Sequence, residues 1–433
     1  MIDIILLSII ILLFLVIVWR PTIGVYLTAA CLPIIGRDIS FYNFTFPISD
    51  LVALLTLAGF AVNLLWRVLF KPQEHIKLIW PLFFPFLMFF VANILSIIFS
   101  HNPANSFYYF LRWPFFLYIA YILVPANIIT NPKILKKTVV IVFLSAMAVL
   151  ISGYLSLYGQ DWQNSFFRLK SVYFWGSYPF GENHNLIAEF LNIGAFFVLI
   201  IREFLKNERQ KRLTDIIFFL TAIGIILTFS RAGWITLFLQ SAVYVYYRTK
   251  HDGKKKLAIA IFALLGVVIM SPLLWKMSVL QDSNTSSTEN RVLLTEIAWQ
   301  AFTEKPLFGY GSGEFINLVG NNTRFVAKYG APIDSHGVLQ KVAAENGILG
   351  LISWLFILVY LIKVSVLAIK KYYPKVEWVL PFALAALGGI FFQFFNTSYF
   401  KGRVWFPIIL FLLALRFSEQ LYAKKNKDSS SAA

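Results

Sequence analysis

Residues 213–248 read LTDIIFFLTAIGIILTFSRAGWITLFLQSAVYVYYR, and the fold is decided here. Two apolar runs, 213–230 and 232–248, are each long enough to cross a lipid bilayer as a helix, which takes about 17–25 residues. The runs are continuous rather than alternating, so they are helices and not barrel strands. Between them stands Arg231. The chain crosses, meets one arginine and returns at once.

The rest of the chain repeats the pattern. Of 433 residues, 59% are hydrophobic and 14% charged, against about 45–50% and about 25% in an ordinary globular chain. Apolar stretches bounded by charge fall at 2–19, 22–35, 48–66, 78–99, 107–124, 138–157, 186–201, 257–275, 343–369, 377–395 and 403–420 besides the two above. The expected architecture is therefore all-α: a polytopic transmembrane helical bundle of about 12–13 spans. The segment 22–35 is short for a full crossing. The first run carries Asp3 in place of a basic leader and lacks a cleavage site, so it is expected to be a retained helix rather than a signal peptide. Transmembrane helices are expected over 1–275 and 343–420, a helical extracytoplasmic loop over 276–342, and a cytoplasmic tail over 421–433. Cys31 lies in an apolar run and carries no information about redox compartment.

Lysine and arginine set the orientation. The spans place Arg67/Lys71/Lys77, Lys133/Lys136/Lys137, Arg202–Arg212, Arg248–Lys256, Lys370–Lys375 and the tail lysines on one side, which is then cytoplasmic. The opposite connections, 36–47, 100–106, 158–185, 276–342 and 396–402, are poorer in charge and include the two longest. The net charge of +17 follows mostly from the cytoplasmic loop ends, where basic residues also meet anionic lipid. Nucleic acid is not an expected partner.

Chemistry in such a chain is sought on ionisable residues that the membrane makes costly and on long loops. Both lead to the outer side. Arg231 sits in a connection too tight to let it reach far into water. It either holds an anion or anchors the interface beside Trp234. In the long loop, Val292, Leu293, Ile297, Ala301 and Phe302 recur at helical spacing, with Ser287 or Thr288 to cap the helix and Pro306 and Gly309 past its end. Arg291 is then expected in the first turn, where helix dipole and guanidinium together suit phosphate. The run Gly309–Gly313 (GYGSG) lacks the strand of a dinucleotide fingerprint and reads as a turn. Asp334 or Ser335 is expected to cap a helix with His336 in its first turn. Nearby arginines and the helix start would keep that imidazole neutral and able to accept a proton. Gln340 lies one turn on; Glu345 lies about half a turn around. His184 and Asn185, in GENHNLIA (181–188), also face outward. No HExxH, CxxC, GxSxG or Walker lysine occurs, and no pair of carboxylates is placed for a metal.

The ordered set SRAG (230–233), Asn290-Arg291, PLFGYG (306–311), Ser335-His336 and ENGILGL (345–351) resembles the O-antigen ligase and polymerase superfamily of bacterial membrane enzymes. The motif similarity covers roughly 180–370, and the span layout the whole chain. Family members often carry Asn after the histidine; Gly337 stands here. The resemblance implies a GT-C type bundle in the bacterial cytoplasmic (inner) membrane, with its active site on the periplasmic side. It implies transfer of a glycan from undecaprenyl pyrophosphate to an acceptor hydroxyl, inverting, without metal or cofactor. The acceptor would be a lipid A-core sugar in a ligase, the next lipid-linked repeat in a polymerase, or a protein in an O-oligosaccharyltransferase. His336 would be the catalytic base and Arg231 and Arg291 the pyrophosphate ligands. His184 is a rival base, and Asn185, Gln340 and Glu345 are secondary candidates. A transporter or flippase is the reading from another class. It calls for charge near the bilayer midplane, where Glu189 and Arg112 are the candidates.

Overall fold

A computed structural model describes residues 2–36, 38–41, 44–71, 77–158, 160, 167–174, 176–249, 286–396 and 400–430. The expected span at 257–275 lies outside them. Helices stand where the other apolar runs were read: α1 Ile2–Trp19, α2 Pro21–Cys31, α3 Ile48–Phe70, α4 Phe83–Ile98, α5 Pro103–Ile128, α6 Pro132–Leu155, α7 His184–Phe204, α8 Glu208–Leu227 and α9 Arg231–Arg248. After the long loop come α13 Val338–Tyr372, α14 Val379–Phe392 and α15 Gly402–Ser430. Five of these, α3, α5, α6, α7 and α13, are long and apolar enough to cross a membrane. One antiparallel hairpin, Asp38–Phe41 with Phe44–Pro47, interrupts the all-helical pattern among the described residues.

α7 is the axis of the bundle. Every residue from Ile187 to Ile200 is buried, so the helix is enclosed on all sides. Small residues allow the close approach: a Cβ on Gly194 would lie 2.6 Å from the Cβ of Ala146 on α6. The one charge in this stretch, Glu189, is fully buried and pairs with Arg403 of α15 at 2.6 and 2.8 Å. Removing one partner from such a pair costs about 3–5 kcal/mol, because it leaves a buried charge alone. The outer faces of the bundle are apolar as well: Leu12, Leu65, Phe84 and Phe219 are each at least 60% exposed. Water does not favour a continuous surface of this kind, and lipid does.

α7 also separates two chemically different ends. Where it finishes, Arg202 pairs with Asp215 at 2.7 Å, Arg248 meets Glu203 and Glu377, and Lys136 lies 5.4 Å from the Phe204 ring. These are the connections read as basic. His184 is at the other end of the 21-residue helix, about 30 Å away at roughly 1.5 Å per residue.

Over that second end folds the described part of the long loop. It contains α10 Ser286–Glu304, α11 Phe315–Asn321 and α12 Thr323–Tyr329. Its own small core joins Leu293, Leu294, Ile297, Ala298 and Ala301 to Phe315, Val319, Phe325 and Ala344. The periodicity was close: Leu294 faces in, whereas Val292 is 53% exposed. The glycine run fixes this loop to the bundle. Gly309 has φ +70, and the backbone N–H groups of Tyr310 and Gly311 donate to the carbonyls of Ala344 and Glu345 at 3.0 and 2.9 Å. Those carbonyls are available because α13 breaks at Gly347 (φ 63, ψ −157), and Ile348 N–H then donates to Pro306 O at 2.8 Å. A buried trio completes the joint, with Ser312 Oγ donating to Asn93 Oδ1 at 2.7 Å and Asn346 Nδ2 donating to Ser312 Oγ at 3.0 Å.

A Cβ at Gly309 would lie 2.4 Å from the Glu345 carbonyl, whereas one at Gly330, with a similar φ of +78, meets nothing within 4 Å. Both Ala variants carry the left-handed backbone cost of about 1–2 kcal/mol. Gly309→Ala is expected to lose a further ~1–3 kcal/mol through overpacking. Thermal unfolding of both variants in detergent compares them; equal midpoints would show that this joint does not need close approach.

Candidate functional site

The α8–α9 turn is built by its own sequence. α8 ends at Leu227, Phe229 takes φ 55, and Ser230 caps α9 by accepting the Gly233 N–H at 3.2 Å. Trp234 Nε1–H donates back to Ile226 O at 3.0 Å, a carbonyl near the end of α8 that also accepts the Phe229 N–H. A Cβ on Gly233 would come within 3.0 Å of the Cβ of Ala188, so SRAG packs on the first turns of α7. Arg231, the first residue of α9, is held exposed at the same end of the bundle as His184.

Arg168 joins them, and sequence reasoning did not single it out. The Leu169 N–H donates to Leu227 O at 2.8 Å, which pins the 167–174 strand of chain to the end of α8. Leu169 is fully buried, and a Cβ on Gly153 would lie 2.3 Å from it. Gln160 bonds both backbone groups of Arg168. The guanidinium then reaches the His184 imidazole, with Nη1 3.0 Å from Nδ1. A guanidinium can only donate, so the accepting nitrogen of His184 is already occupied.

Arg291 lies on α10 and connects the rest. Its charge acts on both His184 and His336, and the charge of Arg231 acts on Arg291. Burial first and Arg231 second hold the Arg291 guanidinium below its usual value, and burial does the same to Arg168. Among the described residues neither Arg231 nor Arg291 has a carboxylate within ion-pair distance, and Arg291 Nε is buried without a partner. Like charges brought together without a counter-charge form a site for an anion. One expectation is corrected: α10 begins at Ser286, so Arg291 stands in its second turn, beyond the free N–H groups of the helix start. The guanidinium, not the helix terminus, supplies the positive charge.

His336 is also placed differently from expectation. The cap of α13 is Gly337, and His336 precedes it rather than sitting in the first turn. Ser335 Oγ donates to Gly337 O at 2.8 Å and Val338 N–H to Gln393 O at 3.1 Å, which fixes this short connection. Burial first, then Arg291, push the His336 imidazole below its ordinary value, with Asp334 pulling the other way. Asp334 gives its carboxylate to Lys341 at 2.6 and 2.8 Å. Among the described residues no side chain hydrogen-bonds the His336 ring, so its lone pair is open to a ligand.

The secondary candidates separate. Glu345 is buried, pairs with Lys341 at 3.1 Å and accepts the Phe315 N–H at 3.2 Å, so it ties the loop to α13. Gln340 Nε2 donates to Thr295 Oγ1 at 2.6 Å and ties α10 to α13. The Asn185 backbone N–H bonds Asn183 in the cap of α7. Beside these lies an apolar groove of about 280 Å³, walled by Ala298, Trp299 and Phe302 on α10 and Leu339, Leu351 and Leu355 on α13. Arg291, Thr295, Ala298 and Phe302 follow one another along a single helical stripe, so the groove leads away from the cationic cluster.

Fold and site together define a polytopic helical membrane protein with a group of arginines and an imidazole at the end opposite its basic loops. The family described as O-antigen ligase matches residues 216–355, a segment that contains Arg231, Arg291 and His336. This match supports the O-antigen ligase superfamily, whose members are glycosyltransferase-like enzymes. No curated protein matches the chain.

The signs of the charges around His336 make a direct test. Its titration, followed by NMR on labelled histidine, is expected to fall below the ordinary 6.5. Arg291→Gln removes a cation and should move it up; Asp334→Asn removes an anion and should move it further down. Movement of either variant in the opposite sense would mean that these charges do not face the ring.

Proposed function

We propose that the protein transfers a glycan from undecaprenyl pyrophosphate to an acceptor hydroxyl on the periplasmic side of the bacterial inner membrane, as an O-antigen ligase does to a lipid A-core sugar. The observation that carries this reading is the grouping around Arg291, whose charge reaches His336 and, with Arg168, His184, and which itself feels Arg231. The groove beside Trp299 supports a lipid-linked donor, since an isoprenoid chain fits its apolar walls while the head group meets Arg291.

The reaction follows from these parts. The acceptor oxygen attacks the anomeric carbon as its proton passes to His336. The bond from that carbon to the pyrophosphate oxygen breaks, and its electron pair stays on the pyrophosphate. The arginines stabilise the growing negative charge through fixed, forked hydrogen bonds. Attack opposite the leaving group inverts the anomeric centre. His336 afterwards loses its proton to water. A lysine could supply charge but not the fork, so arginine is the residue type the leaving group requires.

General-base help contributes about 10²–10⁴-fold in rate. His336→Ala is therefore expected to lower transfer by roughly that factor with donor binding retained. The assay uses purified protein in detergent, lipid-pyrophosphate glycan, and chelator throughout. The product names the acceptor: glycan on lipid A-core marks a ligase, and a lengthened lipid-linked glycan marks a polymerase. Full activity of His336→Ala would remove the base, and loss of wild-type activity on chelation would overturn the metal-free reaction.

A further inference from the structure

A second cavity lies next to the cationic cluster and has no part in the chemistry above. Its volume is about 260 Å³, and Ser49, Asp50, Leu186, Asn396, Lys401 and Arg403 stand in its wall. It shares boundaries with the site. Leu186 is in the first turn of α7, two residues from His184. Ile35, also in the wall, receives the loop that carries Arg168: its N–H donates to Pro179 O at 3.0 Å. The charge of Asp334 reaches both Lys401 and His336.

The cavity differs from the arginine cluster in its charge balance. Arg403 is neutralised by Glu189 at 2.6 Å. Asp50 and Lys401 remain, one of each sign. Asp50 Oδ1 accepts the Tyr121 hydroxyl at 2.7 Å, and its second oxygen has no partner among the described residues. Lys401 rests on the face of Trp113, its ammonium 3.7 Å from the ring centroid. Among the described residues no carboxylate lies within ion-pair distance of it, although the charge of Asp50 is the largest influence opposing its desolvation. Burial holds this ammonium down to about 8. An acceptor and a donor thus face one space without closing on each other. Anions are disfavoured by Asp50 and cations by Lys401. A neutral ligand with hydroxyl groups satisfies both, because each hydroxyl donates and accepts. The volume is below the ~300 Å³ at which pockets for larger organic ligands begin, which limits the occupant to about one ring.

We infer that this cavity binds one uncharged sugar ring of a glycan substrate, with Asp50 accepting from and Lys401 donating to its hydroxyls. The inference rests on the glycan-transfer reading, and it adds a subsite that selects for neutral sugars beside the point of transfer. The ring belongs either to the donor glycan or to the acceptor. Both present the same hydroxyl chemistry.

Binding is tested without turnover. Saturation-transfer NMR on the full chain in detergent uses methyl glycosides of glucose, galactose, mannose and N-acetylglucosamine as probes, with methyl glucuronide and inorganic pyrophosphate as charged comparisons. At least one neutral glycoside is expected to receive saturation. The signal should drop at least fivefold in Asp50→Asn and in Lys401→Gln, survive in His336→Ala, and resist competition by pyrophosphate. Lys401→Arg, which keeps a donor, should retain part of it. Absence of signal from every neutral glycoside, preference for the glucuronide, displacement by pyrophosphate, or wild-type signal in the Asp50→Asn and Lys401→Gln variants would each overturn the inference. In the transfer assay the same two variants should raise KM at least tenfold for one substrate only, which identifies whether donor or acceptor supplies the ring. A protein that binds neutral glycosides yet transfers nothing would defeat the transferase reading and leave the cavity assignment standing.

Discussion

The cost of assembling guanidinium groups without carboxylates organises the described structure around this site. Arg168, Arg231 and Arg291 come from three separate segments, and each is brought in by backbone contacts that owe nothing to charge. The Leu169–Leu227 hydrogen bond and the Gly153 contact deliver Arg168. The Ser230 cap and the Gly233–Ala188 contact deliver Arg231. The loop core and the glycine joint at the break in α13 deliver Arg291. Cations repel one another, so packing rather than charge has to hold them together. The buried Arg403–Glu189 pair shows the contrast, since there the chain supplies its own counter-charge.

The same preorganisation explains why the loop is so firmly seated. An electrostatic stabiliser is effective only if it is already oriented when charge develops. Lys341 binds both Asp334 and Glu345, and Glu345 in turn receives the loop through Phe315. Asp334 stands two residues from His336, so one ion-pair network joins the histidine segment to α13 and, through Phe315, to α11. Gln340 and Thr295 link α13 to α10, the helix that carries Arg291. These residues act through position, while no side chain among the described residues bonds the His336 ring.

The bundle was legible in the sequence because lipid exposure and helix burial both demand unbroken apolar runs, and such runs need no knowledge of partners. Arg231 was legible for the same reason: a lone charge between two spans has few places to go. Arg291 and His336 were found by residue type and motif, but their places on the helices were shifted. The Gly337 cap depends on a tertiary contact, Val338 with Gln393, that no local pattern reveals. Arg168 carried only a weak signal, a cation in a connection on the side poor in them. Its role depends on Gln160 and Leu169 meeting the end of α8. Asp50 and Lys401 are remote in the chain and meet only after the bundle closes around α7, so nothing in either local sequence marks their cavity.

The central claim is that the arginine cluster holds the leaving pyrophosphate with its lipid in the groove between α10 and α13. A cryo-electron microscopy map of the protein with undecaprenyl pyrophosphate tests it most directly. The account predicts phosphate density within about 3 Å of the Arg231 and Arg291 guanidinium groups, the distance of a charge-assisted hydrogen bond. The isoprenoid chain should run from there past Trp299 toward Leu355. Phosphate density at the opposite end of α7, among Arg202 and Arg248, or in the Lys401 cavity would contradict it.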